Sequence, residues 1–306
     1  AVDYPDNMII GGDILDIGGL MLVVGPTSVG KSYLLLQLAM HLVTGTPVVG
    51  QWPVPKTMSV YLVQAEIGRK RFQSRVAKLW ANFDPAKATK LWLESPYDLK
   101  LDTPEGLSAL EEVVIKHSPA VLIIDPLRPF HTRNENASDE MQRLFDSFLR
   151  LQFKHEVAIV FAHHDRKPSA EGWGKSIYET RGNTIITDRP DTVLRLKQRK
   201  NGLSVDAVWE KLRNADHLLP QQQWIGDRKT GLFVPKVVAS SGDARDAIAG
   251  KLLSGGETPL AGFVQDLARE LGISRKAAYA ITVDLDQRGI LVKETDGAKK
   301  VVSLVT

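Results

Sequence analysis

Gly25-Pro-Thr-Ser-Val-Gly30-Lys31-Ser32 fits the pattern G-x-x-x-x-G-K-[ST], a loop suited to holding phosphate oxygens. Glycines let such a loop curl until its backbone N–H groups point inward, with the start of a helix behind them. In that arrangement Lys31 reaches the β- and γ-phosphates, and the Ser32 hydroxyl is a magnesium ligand. Gly25, Pro26, Thr27, Ser28, Val29, Gly30, Lys31, Ser32 and Tyr33 are therefore the candidate nucleotide-binding residues, with ATP and Mg2+ the expected ligands. About ninety residues downstream, Val121-Leu-Ile-Ile-Asp125 is an apolar strand closing on a carboxylate. An acid at the carboxyl end of a parallel strand, beside the strand of the phosphate loop, completes the metal pair Ser32 and Asp125.

Glu66 follows a second apolar strand, where a carboxylate can align and deprotonate an attacking water. The same acid would equally suit the positive end of the next helix. His163 and His164 end the strand VAIVFAHH, where a side chain can feel the γ-phosphate. Two histidines also suggest a metal, but neighbours on a strand point to opposite faces and cannot share one ion.

These residues need a scaffold, and the apolar pattern supplies one. Strand-like runs at Leu20–Val24, Ser59–Gln64, Lys90–Leu93, Ala120–Ile124 and Val157–Phe161 alternate with helical segments at Lys31–Thr44, Arg69–Ala81, Pro104–Lys116 and Ala137–Lys154. Continuous aliphatic strands alternating with helices predict an α/β fold, a mainly parallel sheet covered on both faces. Further strands at Thr192–Leu196, Leu203–Leu212, Gln223–Ile225 and Gly231–Val234 read as antiparallel additions. Between Arg166 and Asn183 runs a polar, glycine-bearing stretch without clear period, longer than ordinary connections. Residues 237–243 form a linker between a 1–236 core and a 244–306 domain. That last part reads as helix, helix, a turn with Ser274 as N-cap, helix, then a hairpin around Asp296-Gly297, the order of a winged helix-turn-helix.

The 306 residues contain no cysteine, which excludes disulfides and thiolate metal sites. No uninterrupted apolar run approaches a membrane span, and a cytoplasmic location is expected. The net charge of +3 does not by itself announce a nucleic-acid partner. Its distribution says more: from Arg166 to Lys200 nine Lys/Arg face four acids, a footprint suited to phosphate backbones. A solvated face would show the same excess. From Lys236 onward ten basic residues nearly balance nine acidic ones, and Asp284 and Asp286 lie on the third helix of the small domain. Its candidate DNA contacts are Arg275, Lys276, Arg288, Lys299 and Lys300, although winged helices also dock proteins.

The stretches LIIDPLRPFH, ENAS and IVFAHH, with GPTSVGKS before them, resemble the hexameric replicative helicases of the plasmid RepA type, within the wider RecA/DnaB-like ATPases. The similarity spans roughly residues 10–235 and implies a RecA-like P-loop NTPase core. It implies an ATP-driven, hexameric DNA helicase or translocase serving replication of a plasmid, phage or other mobile element, with replication proteins of that element as partners. It further implies Glu66 as catalytic base and His164, before His163, as phosphate sensor. Lys211-Leu-Arg213-Asn214 resembles a K-x-R-N motif that reaches into the neighbouring subunit's nucleotide, while Lys197-Gln-Arg199 has similar spacing one strand earlier. Residues 166–183 fall where that superfamily places its DNA loops, so Lys167, Lys175 and Arg181 would track single-stranded DNA and Trp173 would stack on a base. The appended winged helix departs from those helicases and suggests a second reading, a DNA-bound ATPase switch without processive unwinding.

Overall fold

A short antiparallel hairpin opens the fold, β1 (Met8–Ile10) and β2 (Leu15–Asp16), too brief to leave a periodic signal in the sequence. Then come β3 (Leu20–Gly25), α1 (Lys31–Thr44), β4 (Val60–Gln64), α2 (Arg69–Trp80), β5 (Leu91–Glu94), α3 (Pro104–His117), β6 (Val121–Asp125), α4 (Ser138–His155) and β7 (Ala158–His164). A short helix α5 (Ile185–Asp188) precedes β8 (Thr192–Gln198), β9 (Ser204–Leu212), β10 (Gln222–Gly226) and β11 (Phe233–Pro235). The computed structural model describes residues 7–96, 98–165, 184–199, 204–236, 248–253, 258–287, 291–296 and 299–304. Lys167, Trp173, Lys175, Arg181 and Arg288 lie outside the described residues.

Nine strands form one sheet in the order β11-β10-β9-β8-β3-β7-β6-β4-β5. The six from β8 to β5 are parallel, and β9, β10 and β11 add antiparallel to one side. Alternate residues build two cores. Met21, Val23, Leu62, Ile123 and Val160 face α1, while Leu22, Val24, Tyr61, Ile124, Ile159 and Phe161 face α3 and α4. Both faces are covered, which is why these strands carry no polar alternation. Helix α1 is buried nearly all round, with Leu34 to Val43 inside, as expected of a helix apolar on every side. Thr103 caps α3 by accepting from Gly106 N–H at 3.1 Å, and Pro104 takes the first helical position, where its missing N–H costs nothing.

One expectation needs correction. The Asp125 strand does not lie beside the strand of the phosphate loop, because β7 is inserted between β3 and β6. All three strands are apolar on both faces, so hydrophobic pattern cannot rank them across the sheet; only the crossover of α4 decides which one takes the centre.

The chain divides into two compact units, 1–236 and 237–306. In the second, a helix α6 at 248–253 is followed by β12 (Thr258–Pro259), α7 (Leu260–Leu271), α8 (Arg275–Gln287), β13 (Leu291–Asp296) and β14 (Lys299–Leu304). Its three strands pair antiparallel in the order β12-β14-β13. Ala249, Leu253, Phe263, Leu267, Ile281, Leu285, Leu291 and Val302 form its core. Gly272 ends α7 in the left-handed region at φ 63°, and Ser274 Oγ accepts from Ala277 N–H at 3.3 Å to start α8. Among the described residues no helix is long and apolar enough to cross a membrane.

Because each unit has its own apolar core, a fragment of residues 1–236 is expected to unfold in one cooperative thermal transition. A fragment with native helicity but no transition by calorimetry would show that the core depends on the second unit.

Candidate nucleotide site

Strand β3 ends at Gly25, and the loop that follows is shaped by two close approaches. A Cβ on Gly25 would stand 2.5 Å from Leu196 O, and one on Gly30 would stand 2.5 Å from Phe233 Cζ. Gly30 also has φ 104°, which an L side chain resists. Helix α1 starts there with no side-chain cap and no acid in its first turn. Its leading N–H groups and positive end are thus presented to the loop, the arrangement that binds phosphate.

Lys31 folds back under the loop and is almost fully buried. Its Nζ donates to Gly25 O at 2.7 Å and Pro26 O at 2.8 Å, and lies 3.1 Å from His164 Nδ1. Burial lowers its pKa to about 8, against the opposing pull of Asp165, Asp125 and Glu66. Ser32 Oγ donates to Asp125 Oδ1 at 3.1 Å, across the end of β7. Asp125 is buried, and desolvation raises its pKa to about 6; the Ser32 hydroxyl counters this and nearby Glu66 adds to it.

A hydroxyl and a carboxylate side by side at a helix N-terminus suit Mg2+, a hard ion that fills its remaining positions with water and phosphate oxygens. Among the described residues no group of three His, Asp, Glu or Cys could hold a metal alone. Ser32 and Asp125 therefore fit an ion that arrives with a triphosphate, and such an ion would offset the charge repulsion between Asp125 and Glu66.

Glu66 stands just past β4 in a turn locked by Gln64, whose side chain donates to Ile67 O at 2.7 Å and accepts from Ile67 N–H at 2.8 Å. Helix α2 begins at Arg69 after the N-cap Gly68, so Glu66 stands outside its first turn. Its Oε1 lies 3.6 Å from His164 Nε2, and this contact holds its carboxyl below the usual range despite partial burial. His164 thus bridges Lys31 through Nδ1 and Glu66 through Nε2.

His163 does not join them. Side chains alternate along β7, so it points to the other face, buried with Nε2 4.0 Å from Glu135 Oε1. His131 and Arg128 approach the same carboxylate.

Asp165 carries a role that sequence reading passed over. Its N–H donates to Gly25 O at 3.2 Å, tying β7 to the phosphate loop, and its carboxylate pairs with the fully buried Arg195 of β8. Arg195 Nε also donates to Glu210 Oε1 at 2.6 Å. An acid directly after His163-His164 was visible in the sequence. Its partner was not, because Arg195 reaches it only through the pairing of β3 with β8.

Arg213 and Lys211 lie at the opposite end of the sheet. Arg213 N–H donates to Asp191 O, and Asp191 N–H to Leu20 O, so Arg213 sits level with the start of β3. Five residues of strand, about 16 Å, separate that level from Gly25. Arg213 Nη1 pairs with Asp191 Oδ1 at 2.9 Å, and Lys211 Nζ donates to Asp188 O at 2.5 Å. Burial and the Arg213 charge lower the pKa of Lys211. Lys197 is the penultimate residue of β8, at the loop end of the sheet, and Arg199 pairs with Asp206 at 2.7 Å. In the second unit Arg275 and Lys276 are exposed at the start of α8, and Lys299 and Lys300 open β14.

A family model described as an AAA domain (AAA_25) matches residues 3–170, more than half of the chain. The chain belongs to this AAA domain family. The phosphate loop, Asp125 and Glu66 all lie inside the matched region, so the core is a P-loop ATPase domain. The crystal structure of the RadB recombinase aligns with a TM-score of 0.49 at 19% identity, covering 70% of this chain and 89% of that chain.

The raised pKa of Asp125 has a direct consequence for stability. Between pH 3.8 and about 6 the folded protein holds a proton that the unfolded chain releases, so stability falls as pH rises through this window. At pH 7.5 the full cost, about 3 kcal/mol, is present. Asp125→Asn keeps an oxygen for the Ser32 hydroxyl and should raise the thermal midpoint at pH 7.5 by several degrees without nucleotide. An unchanged or lower midpoint would show that the buried carboxylate is compensated. For Lys31, nucleotide affinity should fall above about pH 8, and calorimetry at pH 8.5 in buffers of different ionisation heat should register proton uptake on binding.

Proposed function

We propose that this protein is a magnesium-dependent ATPase motor, a helicase or translocase on single-stranded DNA that works as a ring, a hexamer, of identical subunits. One observation carries the reading: Lys31, Ser32, Asp125, Glu66 and His164 converge at one end of the sheet, whereas Arg213 lies about 16 Å away at the other. Glu66 can take the proton of an attacking water, and His164, touching both Glu66 and Lys31, reports the γ-phosphate. Mg2+, when bound, would spread the developing charge from the Ser32–Asp125 side. Arg213 is too far to serve its own nucleotide, so its cation is available to a second copy.

The DNA path is assigned to residues 166–183, with Lys167, Lys175 and Arg181 on the strand backbone and Trp173 on a base. In sequence this segment directly follows His164 and Asp165, which lie at the phosphate site. Work in the replication of a plasmid, phage or other mobile element, beside that element's replication proteins, rests on the resemblance in residues 10–235. A second reading, an ATPase switch that finds duplex DNA through its last domain, is favoured by the compact 237–306 unit and the exposed Arg275 and Lys276 of α8. We take that unit as a winged helix. ATPase rates with single-stranded, duplex and no DNA, measured beside strand displacement, separate motor from switch: stimulation without displacement favours the switch.

Two variants test the ring. Glu66→Gln should bind ATP and lose turnover, and Arg213→Ala should do the same for a different reason. Mixed together, each inactive alone, they should regain ATPase activity that grows with protein concentration. No recovery in mixtures shown to co-assemble would confine Arg213 to its own subunit's surface. Single-strand affinity should also fall steeply with salt, and the triple alanine variant of Lys167, Lys175 and Arg181 should flatten the log–log slope by about 0.7 per lost contact.

A further inference from the structure

Helix α2 carries five Lys/Arg and no acid in its 12 residues, and three of them, Arg69, Lys70 and Arg71, open it. Cations are out of place there, because the start of a helix is its positive end. The other two are engaged: the Arg75 guanidinium stands 4.1 Å from the Tyr33 ring centroid, and Lys78 Nζ donates to Arg228 O at 2.6 Å. Arg69, Lys70 and Arg71 are exposed, and among the described residues their side chains form no ion pair or hydrogen bond. Along the same helix runs a cavity of about 520 Å3, walled by Arg69, Phe72, Val76, Trp80, Leu93 and Pro96, with Glu94 as the one acid among the described residues of that wall. Strand β5, which supplies Leu93, closes one edge of the sheet and pairs only with β4 among the described residues. Apolar walls with a basic rim, at an open sheet edge, make a surface suited to docking.

The end of the sheet that holds Arg213 has the reverse character. Residues 7–20 include Asp13 and Asp16 and no Lys or Arg. Asn214 Nδ2 donates to Asp16 Oδ2 at 2.8 Å, and a Cβ on Gly12 would lie 3.8 Å from Leu219 Cδ1, so the loop after β9 runs along the first hairpin. Asp188 and Asp191 join through Lys211 and Arg213, and Asp216 stands exposed on the loop. Five acids thus meet three cations, and one of the three, Arg189, turns to Asp146 of α4 at 3.4 Å. The carboxylates press on one another: burial raises the pKa of Asp16, the Asn214 bond opposes this, and Asp13 and Asp191 add to the rise. Two large apolar side chains stand out from this acidic end, Ile17 at 43% and Leu218 at 50% exposure.

We propose that the α2 groove of one copy receives the acidic end of a second copy, so that copies join head to tail through two unlike surfaces. The inference rests on the reading of the protein as a ring of identical subunits. Charge complementarity selects the occupant. An apolar groove rimmed by unpaired cations is matched, on this same chain, by Ile17 and Leu218 set among carboxylates. Because the two surfaces differ, each copy uses both, and the contact repeats until the assembly closes. The same docking gives Arg213 its place. It sits within the acidic end, and Arg69 stands three residues past Glu66, so seating that end on α2 carries Arg213 towards the neighbour's phosphate site.

The test follows assembly of the full chain by sedimentation, with Mg2+ and a non-hydrolysable ATP analogue. Association of the parent should weaken as salt is added. Asp188→Lys with Asp216→Lys, and separately Arg69→Glu with Arg71→Glu, should each weaken it about a hundredfold, because each sets like charges face to face. All four side chains are exposed, so the thermal midpoints should stay near that of the parent. Mixed in equal amounts, the two variants should assemble again, every acidic surface meeting a basic one, in rings of even number. Parent association that salt leaves unchanged, variants that assemble as the parent does, or mixtures that stay apart would overturn this interface while leaving a ring built through another face. An Arg69 and Arg71 variant that assembles normally but loses affinity for a single-stranded oligonucleotide would give the patch to DNA instead. A parent chain that stays monomeric with nucleotide and DNA would overturn the ring and this interface together.

Discussion

One buried cation set among three carboxylates organises the centre of this protein. Lys31 is desolvated beneath its loop, and Asp165, Asp125 and Glu66 all act on its charge. None of the three carboxylates is managed in the same way. Asp165 pairs with Arg195, Glu66 is held by His164, and Asp125 takes the Ser32 hydroxyl, with the Lys31 and Arg75 charges nearby. Burial raises the pKa of Asp165 despite Arg195, and takes that of Asp125 to about 6. A divalent cation beside Ser32 and Asp125 would favour the charged form of that buried carboxylate.

The parallel sheet makes this possible. Strands β3, β7, β6 and β4 run in the same direction and end at nearly the same level, so their last residues form a row. Gly25 pairs level with His164, and Gln64 with Asp125. Helices cover both faces, so the strand ends are where side chains can converge on a ligand from several segments at once. The same alternation that sends His164 to the loop sends His163 into the opposite core beside Glu135 and His131.

The antiparallel additions are more than a border. Through β8 they deliver Arg195 to Asp165, and through β11 they deliver Phe233 to Gly30. Both contacts bear on the phosphate loop from the side away from β7. Gln37 makes the second of these a bond between α1 and β11, so the helix that presents the phosphate-binding N–H groups is also anchored to the antiparallel side of the sheet. The loop's geometry thus depends on residues about two hundred positions downstream.

How much of this was legible in the sequence follows from the range of each interaction. The GPTSVGKS loop, the helix behind it and the apolar strand ending in Asp125 are local patterns, and their spacing determined the α/β class and the largely parallel sheet. Pairing across the sheet is not local. Strands β3, β6 and β7 are equally apolar, so nothing in their composition placed β7 between the other two. The hairpin at Met8–Asp16 has strands too short for periodicity to register. Two histidines adjacent in sequence were separable as opposite faces, but which one met Lys31 depended on the register with β3. Asp165, Arg195 and Phe233 carried no motif at all. Their meaning comes from partners thirty to two hundred residues away, brought into contact only when the sheet closes around the phosphate loop.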